Sequence, residues 1–489
     1  MKLKLRKISL DAGRPVAFIN EQDARILNAH VDDRVEIISN GKKIIAIVDT
    51  VRGFIGKGEI SLSKEIIDYL NLKNGELVEV NPTIEPRSSR LIAKKLSGKK
   101  LSKSEIACIV SDMVNNALTE AEIAYFVSGV YEHGMDMNET IYLTEAIYKT
   151  GEIINWGNKK IADKHSIGGI AGNRTTPIIV SICAAGGVIM PKTSSRAITS
   201  ASGTADVIET IANVNFPVAR LKEIVNKTGA CLAWGGSLGL APADDKLIRV
   251  ERLLNLDPES QLIASIIAKK LAVGSKYILI DIPYGEKAKV NKKEAESLKK
   301  KFIKIGKHFK LKIKVVLTDG SQPIGNGIGP VLEMQDVLRV LKQNNPPADL
   351  EKKSVMLAGE IFEMIHKSKP GKGSALAREI LHSGKALKKF EEIISAQGKK
   401  SSGLYPAKIK HEIVSSQSGK VISIDNKSIN LLGRILGCPV DKSAGLYIHR
   451  HKSENVKKGE PIATLYAESE KKMKETIKLF HELKPFIIK

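Results

Sequence analysis

Aromatic side chains make up only 4% of this 489-residue chain, and its four cysteines, Cys108, Cys183, Cys231 and Cys438, lie far apart with no Cys-x-x-Cys pair. The first shortage argues against a base-stacking platform for nucleic acid. The second gives no basis for a disulfide framework or a thiolate zinc site, and fits a reducing cytoplasm. No uninterrupted apolar stretch approaches the ~20 residues of a membrane span. The amino-terminal MKLKLRKISLDAGRP lacks the apolar core of a signal peptide and reads as a strand. Acidic residues are also scarce: 54 against 77 basic ones, a net charge of +23. Because the lysines are spread along the chain, this surplus reads as a steering field for anionic substrates rather than as a nucleic-acid stripe.

What is abundant is concentrated between Asp163 and Glu209, in two loops with the character of anion cradles. The first is DKHSIGGIAGNRTT, Asp163 to Thr176; the second is PKTSSRAITSASGTAD, Pro191 to Asp206. Each follows a short apolar run and precedes a helical pattern, where free backbone N–H groups and the helix dipole favour negative charge. Gly168, Gly169 and Gly172 let backbone approach a ligand, and Lys164, Ser166 and Thr176 add a charge and two hydroxyls. The second loop gathers seven hydroxyls, on Thr193, Ser194, Ser195, Thr199, Ser200, Ser202 and Thr204, around Arg196. Guanidinium suits bidentate phosphate binding. Two cradles imply a substrate system with more than one phosphate, and hence an enzyme acting on phosphorylated small molecules.

A chain of this length exceeds one core, and 42% hydrophobic with 27% charged residues is ordinary for globular domains. The expected fold class is α/β with additional all-α and β domains. Residues 1–84 read as short strands in a small double-psi-like β-barrel, with an Asn-Gly hairpin turn at 40–41. A faint repeat at a spacing of 42 sets His30-Val-Asp-Asp-Arg-Val-Glu-Ile against Leu72-Lys-Asn-Gly-Glu-Leu-Val-Glu. A linker spans Pro82 to Ser89. Helices follow from Lys95 to about Lys149, with Ser102 and Ser104 before Glu105 at the first cap, and Thr119 and Asn138 as further caps. A helical domain assembled from 88–158 and 242–273 is expected to take the base side and dimerisation. An α/β domain, 159–241 and 274–405, is expected to bind phosphate, and 408–489 forms a β-rich tail closed by a helix from about Glu468. IGNGIG, with glycines at 325, 327 and 329, misses the dinucleotide spacing and reads as a tight loop.

This order of segments resembles the nucleoside phosphorylase family that contains thymidine phosphorylase, over about residues 90–489. Lys164-His165-Ser166, the glycine pair 168–169, Ser194, Arg196 and Thr204 are similar to its phosphate loops. QLIASIIAKKLAVG, Gln261 to Gly274, resembles its base-binding helix, with Ser265 and Lys269 at i, i+4; AGLYIHRHK and VKKGEPIATLYA match its tail. Three departures stand out. The first loop is one residue longer, SSRAITSASGT replaces a glycine-rich run, and Val250 stands where an arginine fifteen residues before Ser265 reads pyrimidines. With the barrel-like extension, these look like the archaeal AMP phosphorylase branch, which cleaves nucleoside 5′-monophosphates with phosphate.

The resemblance implies that Lys164, Ser166, Thr176 and Ser194 hold inorganic phosphate. It implies that Gly169, Ser195, Arg196, Ala197, Ile198, Thr199, Ser200, Thr204, Ser265, Lys269 and Lys289 bind AMP. It further implies Asp257 as the residue that protonates the base, with His165 as the alternative donor. No metal or redox cofactor is called for, and the family forms dimers through the helical domain. A hinge near Asn158 and Ala241 is expected to close on substrate. Taken singly, Asp257-Pro258 reads as a helix cap, Ser265 and Lys269 as helix surface, and His449 and His451 as solvated strand residues. The rival readings are a pyrimidine-nucleoside phosphorylase, a metal-dependent phosphoribosyltransferase of related fold, and a nucleic-acid-binding protein.

Overall fold

The computed structural model describes residues 1–83, 86–197, 200–401 and 403–489. The chain divides into two units, 1–150 with 241–265, and 151–240 with 266–489.

The first unit begins with a closed six-stranded barrel. Its strands run in the order Lys2–Leu5, Glu59–Leu62, Val16–Asn20, Lys42–Val51, Arg34–Ser39 and Leu77–Pro82, and the last pairs antiparallel with the first. Period-two alternation turns Leu3, Leu5, Val35, Ile37, Val78 and Val80 into its interior. Asn40 and Gly41 take φ of 53° and 69°, so both central residues of the hairpin turn are left-handed, as the Asn-Gly pair predicts. The repeat falls on equivalent pieces. The short helices Glu21–Ile26 and Lys64–Leu70 each lead through a turn into a barrel strand, Arg34–Ser39 and Leu77–Pro82.

Four helices follow the barrel: Arg87–Leu96, Lys103–Val114, Glu120–His133 and Met137–Lys149. The first starts inside the stretch expected as linker and ahead of the expected start at Lys95; Ser88, Ile92 and Lys95 form its buried face, where Lys95 pairs with Glu139 at 3.1 Å. Ser102 and Thr119 close capping boxes with Glu105 and Glu122. The third cap is Asp136, not Asn138. Only Asp136 stands three residues before a carboxylate, Glu139, whose side chain can reach back to the cap N–H. Pro242–Leu254 joins these four helices in the same unit, and Glu259–Val273 contributes residues to both units.

The second unit holds parallel strands. Lys312–Asp319, Tyr277–Tyr284 and Ala162–Ser166 form one sheet, and Met190–Ser194 pairs with Ala230–Trp234; a parallel bridge between Ile161 and Ile189 joins the two sets. The strand YILIDIPY is buried along nearly its whole length, as expected of a parallel strand covered on both faces. Every residue of Thr175–Ala184 is buried, so this helix runs through the core. The tail forms two small sheets and the helices Asn426–Leu436 and Glu470–Leu483 over its own core of Val421, Ile429, Leu432 and Leu465. Among the described residues no helix is long and apolar enough to cross a membrane.

Candidate functional site

Both loops leave the carboxyl ends of neighbouring parallel strands, the end at which open α/β sheets bind ligands. The first strand, Ala162–Ser166, carries Lys164, His165 and Ser166 and runs through the glycine loop into the helix Thr175–Ala185. Gly168, Gly169 and Gly172 have φ of 87°, 88° and 68°. At two of them close approach adds to the need for glycine: a Cβ on Gly169 would stand 2.8 Å from Lys289 Cβ, and one on Gly172 2.4 Å from the Ile324 carbonyl oxygen. The fold thereby brings Lys289, distant in sequence, to the first loop.

Lys164 is 2% exposed and donates from Nζ to Thr175 Oγ1 at 3.0 Å. Ser166 accepts from Asn173 Nδ2 at 3.4 Å, and Thr176 lies buried in the first helical turn. At the end of the next strand, the Ser194 hydroxyl is buried and has no hydrogen-bond partner among the described residues. Beneath the loops lies a buried ionic set. Asp163 contacts Lys270 at 2.8 Å and Lys192 at 3.5 Å; Asp281 contacts Lys353 at 3.1 Å and accepts from Thr318 Oγ1 at 2.6 Å. Four ammonium groups, counting Lys164, thus stand against two carboxylates.

Burial pushes Lys164 down to about 8 despite the attraction of Asp281, and Lys192 to about 7 despite Asp163. Burial raises the Asp281 carboxyl, but Lys353 and Lys164 outweigh it and hold the group below the usual carboxylate range. The half-buried His165 ring is driven well below its ordinary value, first by burial and then by Lys270, Lys192, Lys269 and Lys164. At neutral pH it is an uncharged imidazole.

The second loop is organised by carboxylates. Asp206 accepts the N–H groups of Ala197 and Gly203 at 2.7 and 2.9 Å. Arg196, expected at phosphate, reaches Glu209 through both terminal nitrogens at 2.7 Å and Asp206 at 3.2 Å, and lies 4.8 Å over the Trp234 ring. Ser200 donates to the Ser202 carbonyl at 2.9 Å, Ser202 donates to Glu333, and Ser195 is exposed. Ile198 and Thr199 lie outside the described residues.

Arg174, which sequence reasoning passed over, ties the loops together. It donates to Glu333 at 2.6 Å, to Thr204 Oγ1 at 2.7 Å and to the Ser202 carbonyl at 2.9 Å. Lys192, Lys270, Lys353 and Asp281 were also missed. The available signal was lysine within apolar strand or helix sequence, as in VIMPKTSS and AKKLAVG.

In the first unit, Asp257 is exposed just ahead of the helix that starts at Glu259, Ser265 is half-buried on that helix, and Val250 is buried. Lys269 is half-buried further along the same helix. His449 and His451 are not solvated strand residues. They follow the strand Gly445–Ile448, half-buried, and hydrogen-bond Thr464 Oγ1 at 2.8 Å and Asn326 Oδ1 at 2.9 Å. Among the described residues no group of three or more His, Cys, Asp or Glu is placed to hold a metal. The IGNGIG loop wraps a carboxylate of its own chain, the Asn326 and Gly327 N–H groups both donating to Asp336 at 2.7 Å.

Known proteins share the sequence signatures and the fold of this chain. Residues 158–387 match the a/b domain of the glycosyl transferase family, 89–151 its helical bundle domain, and 420–485 the pyrimidine nucleoside phosphorylase C-terminal domain. An anthranilate phosphoribosyltransferase from Thermus thermophilus superposes with a TM-score of 0.53 at 17% identity, covering 63% of this chain and 98% of its own, a likeness of fold. The class is therefore that of glycosyl transferases with a phosphorylase-type tail. AMP phosphorylases of Thermococcus kodakarensis, Pyrococcus furiosus and Pyrococcus abyssi are 43%, 44% and 48% identical to it, each alignment covering 100% of this chain and 98% of the relative. The chain belongs to the AMP phosphorylase family.

Proposed function

We propose that this chain cleaves the N-glycosidic bond of AMP, and of CMP and UMP, with inorganic phosphate, releasing free base and ribose 1,5-bisphosphate. Full-length kinship with AMP phosphorylases supports the reaction. The observation that carries it is the surplus of buried ammonium groups beneath two loops, one bearing a buried hydroxyl at Ser194 that has no partner among the described residues. Buried charge without a counterion is costly, and a bound dianion removes that cost.

In this reading Lys164, Ser166, Thr176 and Ser194 hold the attacking phosphate. Its oxygen attacks C1′ as the bond to the base breaks, and the electron pair leaves with the base. Positioning of this kind offsets roughly 7–11 kcal/mol of barrier in favourable cases. Gly169, Lys289, Thr204 and the stretch Ser195 to Ser200 with Arg196, Ala197, Ile198 and Thr199 hold the ribose 5′-phosphate. Ser265 and Lys269 serve the base. Asp257 protonates the departing base, because an uncharged His165 has no proton of that acidity to give. The chemistry requires neither metal nor redox cofactor. The enzyme works in the cytoplasm as a homodimer or larger homo-oligomer.

Purified protein incubated with AMP, CMP, UMP and their nucleosides, with and without phosphate, decides the matter by assay of free base. Release from the nucleotides that depends on phosphate is expected. Equal cleavage of adenosine and AMP, or release without phosphate, overturns the reading.

A further inference from the structure

The clamp around Arg196 has an electrostatic consequence for the second loop. One guanidinium faces two carboxylates, Glu209 at 2.7 Å and Asp206 at 3.2 Å. Formally that leaves one negative charge at the loop where a phosphate dianion has to dock, and like charges brought together at a binding surface cost several kcal/mol. Arg196 first and then Lys442 hold Glu209 down at about 2 against its burial, so this carboxylate remains charged.

The balance comes from the tail. Lys442 Nζ lies 2.9 Å from Glu209 and 3.6 Å from Asp206, which brings the quartet to neutrality. Its backbone is anchored, the Val331 N–H donating to the Lys442 carbonyl at 3.1 Å, and the preceding Asp441 pairs with Lys472. The lysine therefore approaches the loop from a fixed position.

We propose that Lys442, a residue of the C-terminal domain, is a positioning residue for mononucleotide binding: it neutralises Glu209 and Asp206 so that the second loop accepts a 5′-phosphate and Arg196 can exchange Glu209 for it. This rests on the mononucleotide reading above. As the phosphate arrives, Arg196 turns from Glu209 towards it, and Lys442 remains as the counterion of Glu209.

Steady-state kinetics of base release test the assignment, with AMP and phosphate varied separately for wild type, Lys442→Met, Lys442→Arg and the double variant Glu209→Gln/Lys442→Met. Lys442→Met raises KM for AMP roughly tenfold, while kcat and KM for phosphate stay within about twofold. Arginine at 442 restores AMP binding, and so does Glu209→Gln in the double variant, because it removes the uncompensated anion. A merely structural role predicts the reverse: loss of a second contact deepens the defect and kcat falls with it. Wild-type protein that releases no adenine from AMP defeats the functional reading and this inference together. Wild-type release with an unchanged AMP KM in Lys442→Met, or a double variant worse than the single, overturns this inference alone.

Discussion

Replacing Lys164 by methionine removes a buried charge while nearly keeping the volume, and the protein is expected to gain stability as it loses function. The ammonium is 2% exposed, and burial lowers it from 10.5 to about 8. At 1.36 kcal/mol per unit, carrying that charge in the folded state costs about 3 kcal/mol at pH 7. That shift already contains the attraction of Asp281, so only the lost hydrogen bond to Thr175 takes some of this back, and Asp281 keeps Lys353 at 3.1 Å. The net gain is expected at about 1–3 kcal/mol, in line with other apolar replacements of buried charge.

The sign with pH follows from proton counting. Below about 8 the lysine is protonated in both folded and unfolded chains, so the variant's advantage is complete. Between about 8 and 10.5 the unfolded wild-type chain binds more protons than the folded one. Wild-type stability then rises with pH and the advantage fades. Denaturant titrations in phosphate-free buffer at neutral and alkaline pH measure this. Added phosphate should raise the wild-type midpoint and leave the variant's unchanged, while kcat/KM falls roughly 10²–10³-fold. A variant less stable than wild type at neutral pH, or an advantage that does not change with pH, refutes the reasoning.

Two further substitutions probe the chemistry. Ser194→Ala removes a buried hydroxyl that has no partner among the described residues. Stability should hold or rise slightly while KM for phosphate increases roughly ten- to a hundredfold, the worth of a hydrogen bond to a charged group; an unchanged phosphate KM separates Ser194 from that site. Asp257→Asn should lower kcat on AMP by roughly 10²–10⁴-fold with phosphate affinity intact, and turnover near the wild-type rate removes Asp257 as the acid.

The amino-acid sequence by itself determined the features that depend on neighbours a few residues apart. The Asn40-Gly41 turn, the capping boxes at Ser102 and Thr119, the left-handed glycines of the first loop and the period-two strands of the barrel are all of this kind. Even the cap misplaced at Asn138 was decided locally, by the three-residue spacing of Asp136 and Glu139. Tertiary structure alone decided which charges lose water and which opposite charge they then meet. Lys269 and Lys270 are adjacent and alike in sequence, yet the first is half-buried and the second is sealed against Asp163. Arg196 has the chemistry of a phosphate ligand, but the fold places Glu209 and Asp206 against it and then supplies Lys442 from the tail. Arg174 meets Glu333 across 159 residues. Desolvation is a property of packed surroundings, so the pairs that shape this site could be found only once distant segments had been brought together.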